Sequence, residues 1–444
     1  MRKGLCRLAQ GAGMGLLLLF SGANFADSSY APLLWIGAHH ALIGVSTSSG
    51  DIESRIYLGD HKIDAMATDA VSGDLWILRH DTLSAYGRKG QLLQVIPLPH
   101  GVHVNAHNGA LAVDDASGVL LLAGHDRIYR FDLEGNHLGD FDLEHKASAF
   151  AYDSTNARLW AGEKNNIVAY VSDGSSSGGF NLSGHGRIKA LAYSDSLSSL
   201  WVVRGDDLYR YIATDGSMAA QADLPRKGKV HLASDGNGAV WVASGHTIMR
   251  VDGSGLVVFT LPHIPGVRGH FVSIVADSSN RSAWAVSKHT LVHIGADGSI
   301  MQMTDLDAGP IRSLALWADV APPALSFIAP VGASHVSSTE PPLVFNYRDR
   351  GSGVDLSSLA LRVNGQSVDV TCAIPSGTVP SAGTASCALA APLSQGGQVI
   401  SAMVADFAGN QSEPAARSIT VDVIPPVITI TQPIGRYTNQ PHLA

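Results

Sequence analysis

Histidine is the residue type in this chain most able to do chemistry, and its placement is not random. There are 19 histidines, and the tightest group is His100-Gly101-Val102-His103-Val104-Asn105-Ala106-His107. Three imidazoles within eight residues of loop could hold a divalent metal with an open coordination position. His39, His40, His80, His125, His246 and His289 recur four or five residues after a bulky anchor. His61, His145, His185, His231, His263 and His270 fall in the connections between repeats or at the start of a strand. Imidazoles there could bind metal, shuttle protons or sense pH. Repeat duplication can also copy a surface histidine without copying a function. Asp64, Lys189 and Arg312 align at the head of the first strand of their repeats, where they could line a central channel and hold a small anion or polar solute. HExxH, P-loop and GxGxxG patterns are absent from the sequence, and no GxSxG nucleophile elbow, with its serine between a strand and a helix, is found.

The elements that must position these groups are strands. A small-apolar strand, an Asp- or Ser-bearing turn and an apolar strand carrying a bulky anchor form one recurring phrase. Ala65-Met66-Ala67-Thr68-Asp69 leads to Leu75-Trp76, and Ala190-Leu191-Ala192-Tyr193 leads to Leu200-Trp201. The anchors are Trp35, Trp76, Leu121, Trp160, Trp201, Trp241 and Trp284, spaced by 39 to 45 residues. Four short strands at that period describe one blade of a β-propeller. Trp35 has no innermost strand before it, and Ile311–Trp317 reads as an innermost strand with no blade after it. Joining the two closes a ring of seven blades and leaves no open sheet edge. The fold expected is all-β: a seven-bladed propeller over 33–319, closed by its C-terminal strand.

Around this core lie three further segments. Arg2, Lys3 and Arg7, the apolar run Leu16–Phe20 and the small residues Ser21 to Ala23 make 1–26 a signal peptide. Its removal takes the formal charge from −8 to −11. The acidic balance argues against nucleic acid as a partner, and no other stretch approaches a membrane span. Pro322-Pro323 ends the repeats, and 322–424 alternates short strands with turns as an immunoglobulin-like sandwich does. Cys372 and Cys387 are the two cysteines outside the leader, and in an exported protein they pair as one disulfide. Pro322-Pro323-Ala324-Leu325-Ser326-Phe327 is echoed 103 residues later by Pro425-Pro426-Val427-Ile428-Thr429-Ile430. On that pattern 425–444 opens a second, truncated Ig-like repeat of a longer protein.

Asp235-Gly236-Asn237-Gly238-Ala239-Val240-Trp241-Val242, with Leu208-Tyr209-Arg210-Tyr211 as a follow-on strand, resembles the two-component-regulator propeller, NHL and virginiamycin B lyase-like repeats. Lyases of that group use His and Glu with a metal on the turn-bearing face, but their residues do not map one by one onto this chain. Asp349-Arg350-Gly351-Ser352-Gly353-Val354-Asp355 and Asp406-Phe407-Ala408-Gly409-Asn410 resemble bacterial Ig-like surface repeats. Those pairs, Asp349/Asp355 and Asp406/Asn410, could coordinate calcium between domains. By analogy such modules accompany adhesin-like proteins and RHS/YD-repeat shells.

The expectation is an exported bacterial protein of the periplasm, cell surface or medium. Its propeller binds a protein, glycan or small-molecule ligand and works without a cofactor. The competing expectation is a lyase or lactonase using a divalent metal on the histidine-rich face.

Overall fold

The computed structural model describes residues 33–47, 49–99, 111–114, 117–124, 126–183, 186–225, 228–317, 319, 322–349, 353–373, 382–429 and 431. The expected leader, the His100/His103/His107 group, His125 and His185 lie outside them. Every regular element among the described residues is a strand.

Seven antiparallel sheets of four strands follow one another. Their first strands are Ile311–Trp317 (sheet 1), Ala65–Thr68 (sheet 2), Leu111–Asp114 (sheet 3), Ala147–Asp153 (sheet 4), Ile188–Ser194 (sheet 5), Val230–Ser234 (sheet 6) and Ser273–Asp277 (sheet 7). Sheet 1 is made from both ends of the repeat region. Its first strand, Ile311–Trp317, pairs with Leu33–Ala38, which continues into Ala41–Ser46 and Ile52–Tyr57. The other six sheets run in chain order.

The anchors explain why this sequence folds so. Each sits on the second strand of its sheet, and six of the seven lie opposite an alanine of the first. Trp76 faces Ala67, Trp160 faces Ala151, Trp201 faces Ala192, Trp241 faces Ala233, and Trp35 faces Ala315. Leu121, the one aliphatic anchor, faces Ala112, and Trp284 faces Val275. A small cross-strand partner leaves room for an indole on the sheet face. Each anchor packs into a core shared with a neighbouring sheet. Trp76 joins sheets 2 and 3, Leu121 sheets 3 and 4, Trp160 sheets 4 and 5, and Trp201 sheets 5 and 6. Trp241 joins sheets 6 and 7, Trp284 sheets 7 and 1, and Trp35 sheets 1 and 2. The last core thus returns to the first sheet. This is a propeller-like all-β fold.

The repeated aspartate has its own task. Asp69, Asp114, Asp153, Asp235 and Asp277 are buried at the end of their first strands. Each accepts from backbone N–H groups of the turn that follows, as Asp235 Oδ1 does from Asn237 at 2.9 Å and Ala239 at 3.1 Å. Tight turns leave such donors without strand partners, and the carboxylate satisfies them. Asp235 is further tied to Arg250 at 2.5 Å.

The described strands from Ala324 to Val421 form two sheets around a separate core. One contains Ala324–Ala329, Leu343–Arg348, Ala382–Leu389 and Val370–Ala373. The other contains His335–Val336, Ala415–Val421, Gly396–Asp406, Val354–Val363 and Gln366–Val368. Phe327, Leu343 and Phe345 meet Leu361, Ile400 and Ile419 between them. Cys372 and Cys387 are directly paired across adjacent strands and joined as a disulfide. A loop of that size contributes about 3 kcal/mol in the chain-entropy picture.

The anchor argument makes a prediction. Trp201 is fully buried, and its indole N–H has no acceptor among the described residues. Volume, not hydrogen bonding, is therefore its contribution. Trp201→Phe should cost about 1–2 kcal/mol in denaturant unfolding and Trp201→Ala about 3–5 kcal/mol. Equal costs for the two would contradict this.

Candidate functional site

Turns after second strands and connections between sheets share one face of the ring, because they meet there. His61 of a connection stacks on His80 of a turn with centroids 5.4 Å apart. His246 of a turn meets His270 of a connection edge-on at 4.4 Å. His40 Nδ1 donates to Gly59 O at 3.1 Å. A carbonyl only accepts, so neutral His40 carries its hydrogen on Nδ1 and its Nε2 accepts from His39 Nδ1, 2.8 Å away. None of these histidines belongs to a group of three metal-ligating side chains among the described residues. His263 and His289 are exposed on the same face. His231, at the start of sheet 6, behaves differently. Burial above all, with Lys229 adding, pushes its pKa down to about 4, so it is neutral near pH 7.

The three residues expected at the channel mouth each have a local setting. Asp64 lies 3.1 Å from Lys62 Nζ and accepts from His80 N at 3.0 Å, so it braces a turn. Lys189 Nζ donates to Asp206 Oδ1 at 3.3 Å. Arg312 is exposed. Lys189 and Arg312 both fall where the register of the first strand slips, between Ile188 and Ala190 and between Ile311 and Ser313. A bulge re-aims the residue it carries, and at Lys189 it turns the side chain to a neighbouring carboxylate. At the opposite ends of the first strands a cavity of about 400 Å³ lies among Thr68, Leu232, Ile274, Ala276, Leu316 and Trp317. Its lining carries no titratable group.

Beside the turn face, between sheets 4 and 5, is a cleft of about 480 Å³ whose walls include Lys146, Lys164 and Arg187. Below it Glu163 is fully buried. Tyr170 Oη donates to one oxygen of Glu163 at 2.8 Å, and His145 N to the other at 2.7 Å. Burial raises the Glu163 carboxyl against these opposing hydrogen bonds, and burial likewise drives the Tyr170 phenol well up. Glu144, His145 and Glu163 place ligand atoms within 4.8 Å of one another. Both Glu163 oxygens are already engaged, so the group acts as a hydrogen-bonded brace.

A second cluster joins the ring to the two-sheet unit. Asp319, Asp349 and Asp406 are all buried, with carboxylate oxygens within 4.8 Å of one another. Asp406 accepts from Asn410 N and Asn410 Nδ2, both at 2.8 Å, and Asn410 Nδ2 also donates to Asp319 O at 3.0 Å. Asp349 Oδ2 accepts from Gly353 N at 2.5 Å. Burial first, with the Asp319 charge adding, raises Asp406 against the Asn410 hydrogen bonds. An all-oxygen set of this kind could hold Ca²⁺ rather than a transition metal. The trio corrects the pairing expected from the sequence. Asp355 is not part of it, since its carboxylate accepts from Ser357 N and Oγ. Asn410 orients Asp406, and Asp319 is the residue the sequence reading missed. Asp319 lies two residues past the point where sheets 2, 3, 4, 6 and 7 carry their turn aspartate, which was the available signal.

No protein-family model matches the chain, and no curated protein matches it. Among solved structures the chain is similar to virginiamycin B lyase from Staphylococcus aureus. The identity is 15%, the match covers 59% of this chain and 93% of that one, and the TM-score is 0.46. Nothing about residues or reaction transfers at that distance. No helix among the described residues is long and apolar enough to cross a membrane.

The aspartate trio yields a direct test. Calcium at about tenfold excess over Kd would stabilise the protein by about 1.4 kcal/mol. Thermal unfolding at pH 7 should shift upward from EDTA to millimolar Ca²⁺ in the wild-type protein and not in Asp406→Asn. Superimposable wild-type melts would contradict the calcium assignment.

Proposed function

We propose that this chain is an exported bacterial protein whose ring, a seven-bladed β-propeller over 33–319 closed by Ile311–Trp317, is a binding platform carried on an Ig-like sandwich over 322–424. Residues 1–26 are its signal peptide, and Pro425 begins a further Ig-like repeat. The platform takes a protein, glycan or small-molecule ligand on the face formed by the turns.

The observation that carries this reading is the local pairing of the face. His39 with His40, His61 with His80 and His246 with His270 engage one another in pairs, and none joins a group of three metal-ligating side chains among the described residues. Catalysis by a metal or a base needs groups converging on one reacting atom. A platform needs polar groups spread over a rigid surface, as here. The disulfide-bearing unit and the contact of Asn410 with Asp319 suit a stalk that holds the ring firmly.

The second reading is a lyase or lactonase whose metal is held by His100, His103 and His107. The two are separated by assaying the purified protein for transition metal and screening it against glycan and peptide arrays before and after EDTA. The platform reading expects saturable binding to one ligand class that survives EDTA. One equivalent of transition metal, lost together with turnover in His103→Ala/His107→Ala, would overturn it.

A further inference from the structure

We infer that the cleft between sheets 4 and 5 is a binding site for a small ligand bearing two or more oxyanion groups, whether carboxylate, phosphate or sulfate. The inference rests on the platform reading and deepens it by naming the chemistry of the ligand.

Three separate turns build the cleft. Lys146 precedes the first strand of sheet 4, Lys164 and Asn165 form the turn between Arg158–Glu163 and Asn166–Val171, and Arg187 leads into the first strand of sheet 5. The two first strands are locked together at its floor, where Ser148 Oγ donates to Ile188 O at 2.8 Å. The walls are therefore held in place without a ligand.

Charge sets this concavity apart. The chain is acidic, at −8, yet the cleft walls carry three cations and no carboxylate. Lys62, Arg127, Lys189 and Arg250 each have a carboxylate partner. Lys146, Lys164 and Arg187 have none among the described residues. The acids nearby do not neutralise them. Glu163 lies below with both oxygens engaged, Asp206 is held by Lys189, and Glu144 is exposed beside His145.

Arg204 ties the wall from behind. It is 5% exposed, and its guanidinium donates to Gly186 O at 2.9 Å, Ser183 O at 2.6 Å and Asn165 Oδ1 at 3.3 Å. With its oxygen taken by Arg204, the Asn165 amide has its N–H₂ end left to donate. An oxyanion in the cleft would meet that amide, the two ammonium groups and the planar fork of Arg187, which suits carboxylate or phosphate bidentately.

Lys164 adds a conformational argument. Its φ is 51°, a left-handed value. The corresponding turn positions are Gly205 and Gly245 in the next two sheets, at 62° and 61°, and His80 in sheet 2, at 45°. Glycine adopts this conformation without penalty, whereas a side chain strains it. Replacing Lys164 by glycine therefore removes the ammonium group while easing the turn rather than disturbing it.

The test uses the full chain and titration calorimetry at low ionic strength with three probes: citrate, inorganic pyrophosphate and oligogalacturonate. Binding of citrate or pyrophosphate would mark a free small anion as the source, and binding of oligogalacturonate alone an acidic glycan. Affinity should fall at least tenfold in Lys164→Gly, which the turn accommodates, and in Arg187→Gln. It should weaken with added salt and be unchanged in Lys288→Ala. The inference is overturned if none of the probes binds wild-type protein at millimolar concentration, or if both variants bind as wild type does. Failure here, in protein that still recognises a ligand on the arrays, removes the cleft and leaves the platform. Conversion of a bound probe to product removes the platform and leaves the cleft.

Discussion

Each sheet of the ring has two faces to cover, and only its neighbours can cover them. The indole of each tryptophan anchor lies opposite an alanine of the first strand, or in sheet 7 a valine, and reaches into a core shared with an adjacent sheet. No sheet is therefore stable by itself, and the first and last must find each other. The pairing of Leu33–Ala38 with Ile311–Trp317 meets that need. It turns a row of sheets into a closed body whose turns stand in fixed positions. Everything assigned to the turn face depends on that closure.

Fixed turns explain why the polar groups of the face can be set individually. Sheet 2 spends its turn on a histidine stack and on Asp64 as a brace. Sheet 4 buries Glu163 beneath a pair of lysines, while sheet 5 buries Arg204 to hold the wall opposite. One scaffold position thus carries histidine, lysine or glycine in different sheets without disturbing the strands. Variation of this kind is available to a binding surface because the strand cores do not use those side chains.

Much of the architecture was legible in the sequence for a plain reason. Anchors spaced by about forty residues, alanines two positions before the turn aspartates and the paired cysteines are local signals that repetition makes visible. The site was much less so. Lys189 aligns with Asp64 and Arg312 by counting, but strand bulges redirect such residues, and Lys189 turns to Asp206. The cleft joins residues 146, 164 and 187 from three turns, a set no spacing rule collects. Asp319, Asp349 and Asp406 come together only because the two-sheet unit docks against the end of the ring. The group His100, His103 and His107, conspicuous in the sequence, lies outside the described residues.

The central claim is that closure makes the face a single preformed surface, and native-state hydrogen exchange tests it most directly. The amides of Leu33–Ala38 and Ile311–Trp317, though nearly 280 residues apart, should open with the same free energy as those of the second strands of sheets 4 and 5. They should also respond together to low denaturant, as one cooperative unit. Exchange of these two segments well ahead of the rest, by separate local opening, would contradict it and would leave the turn face without a fixed frame.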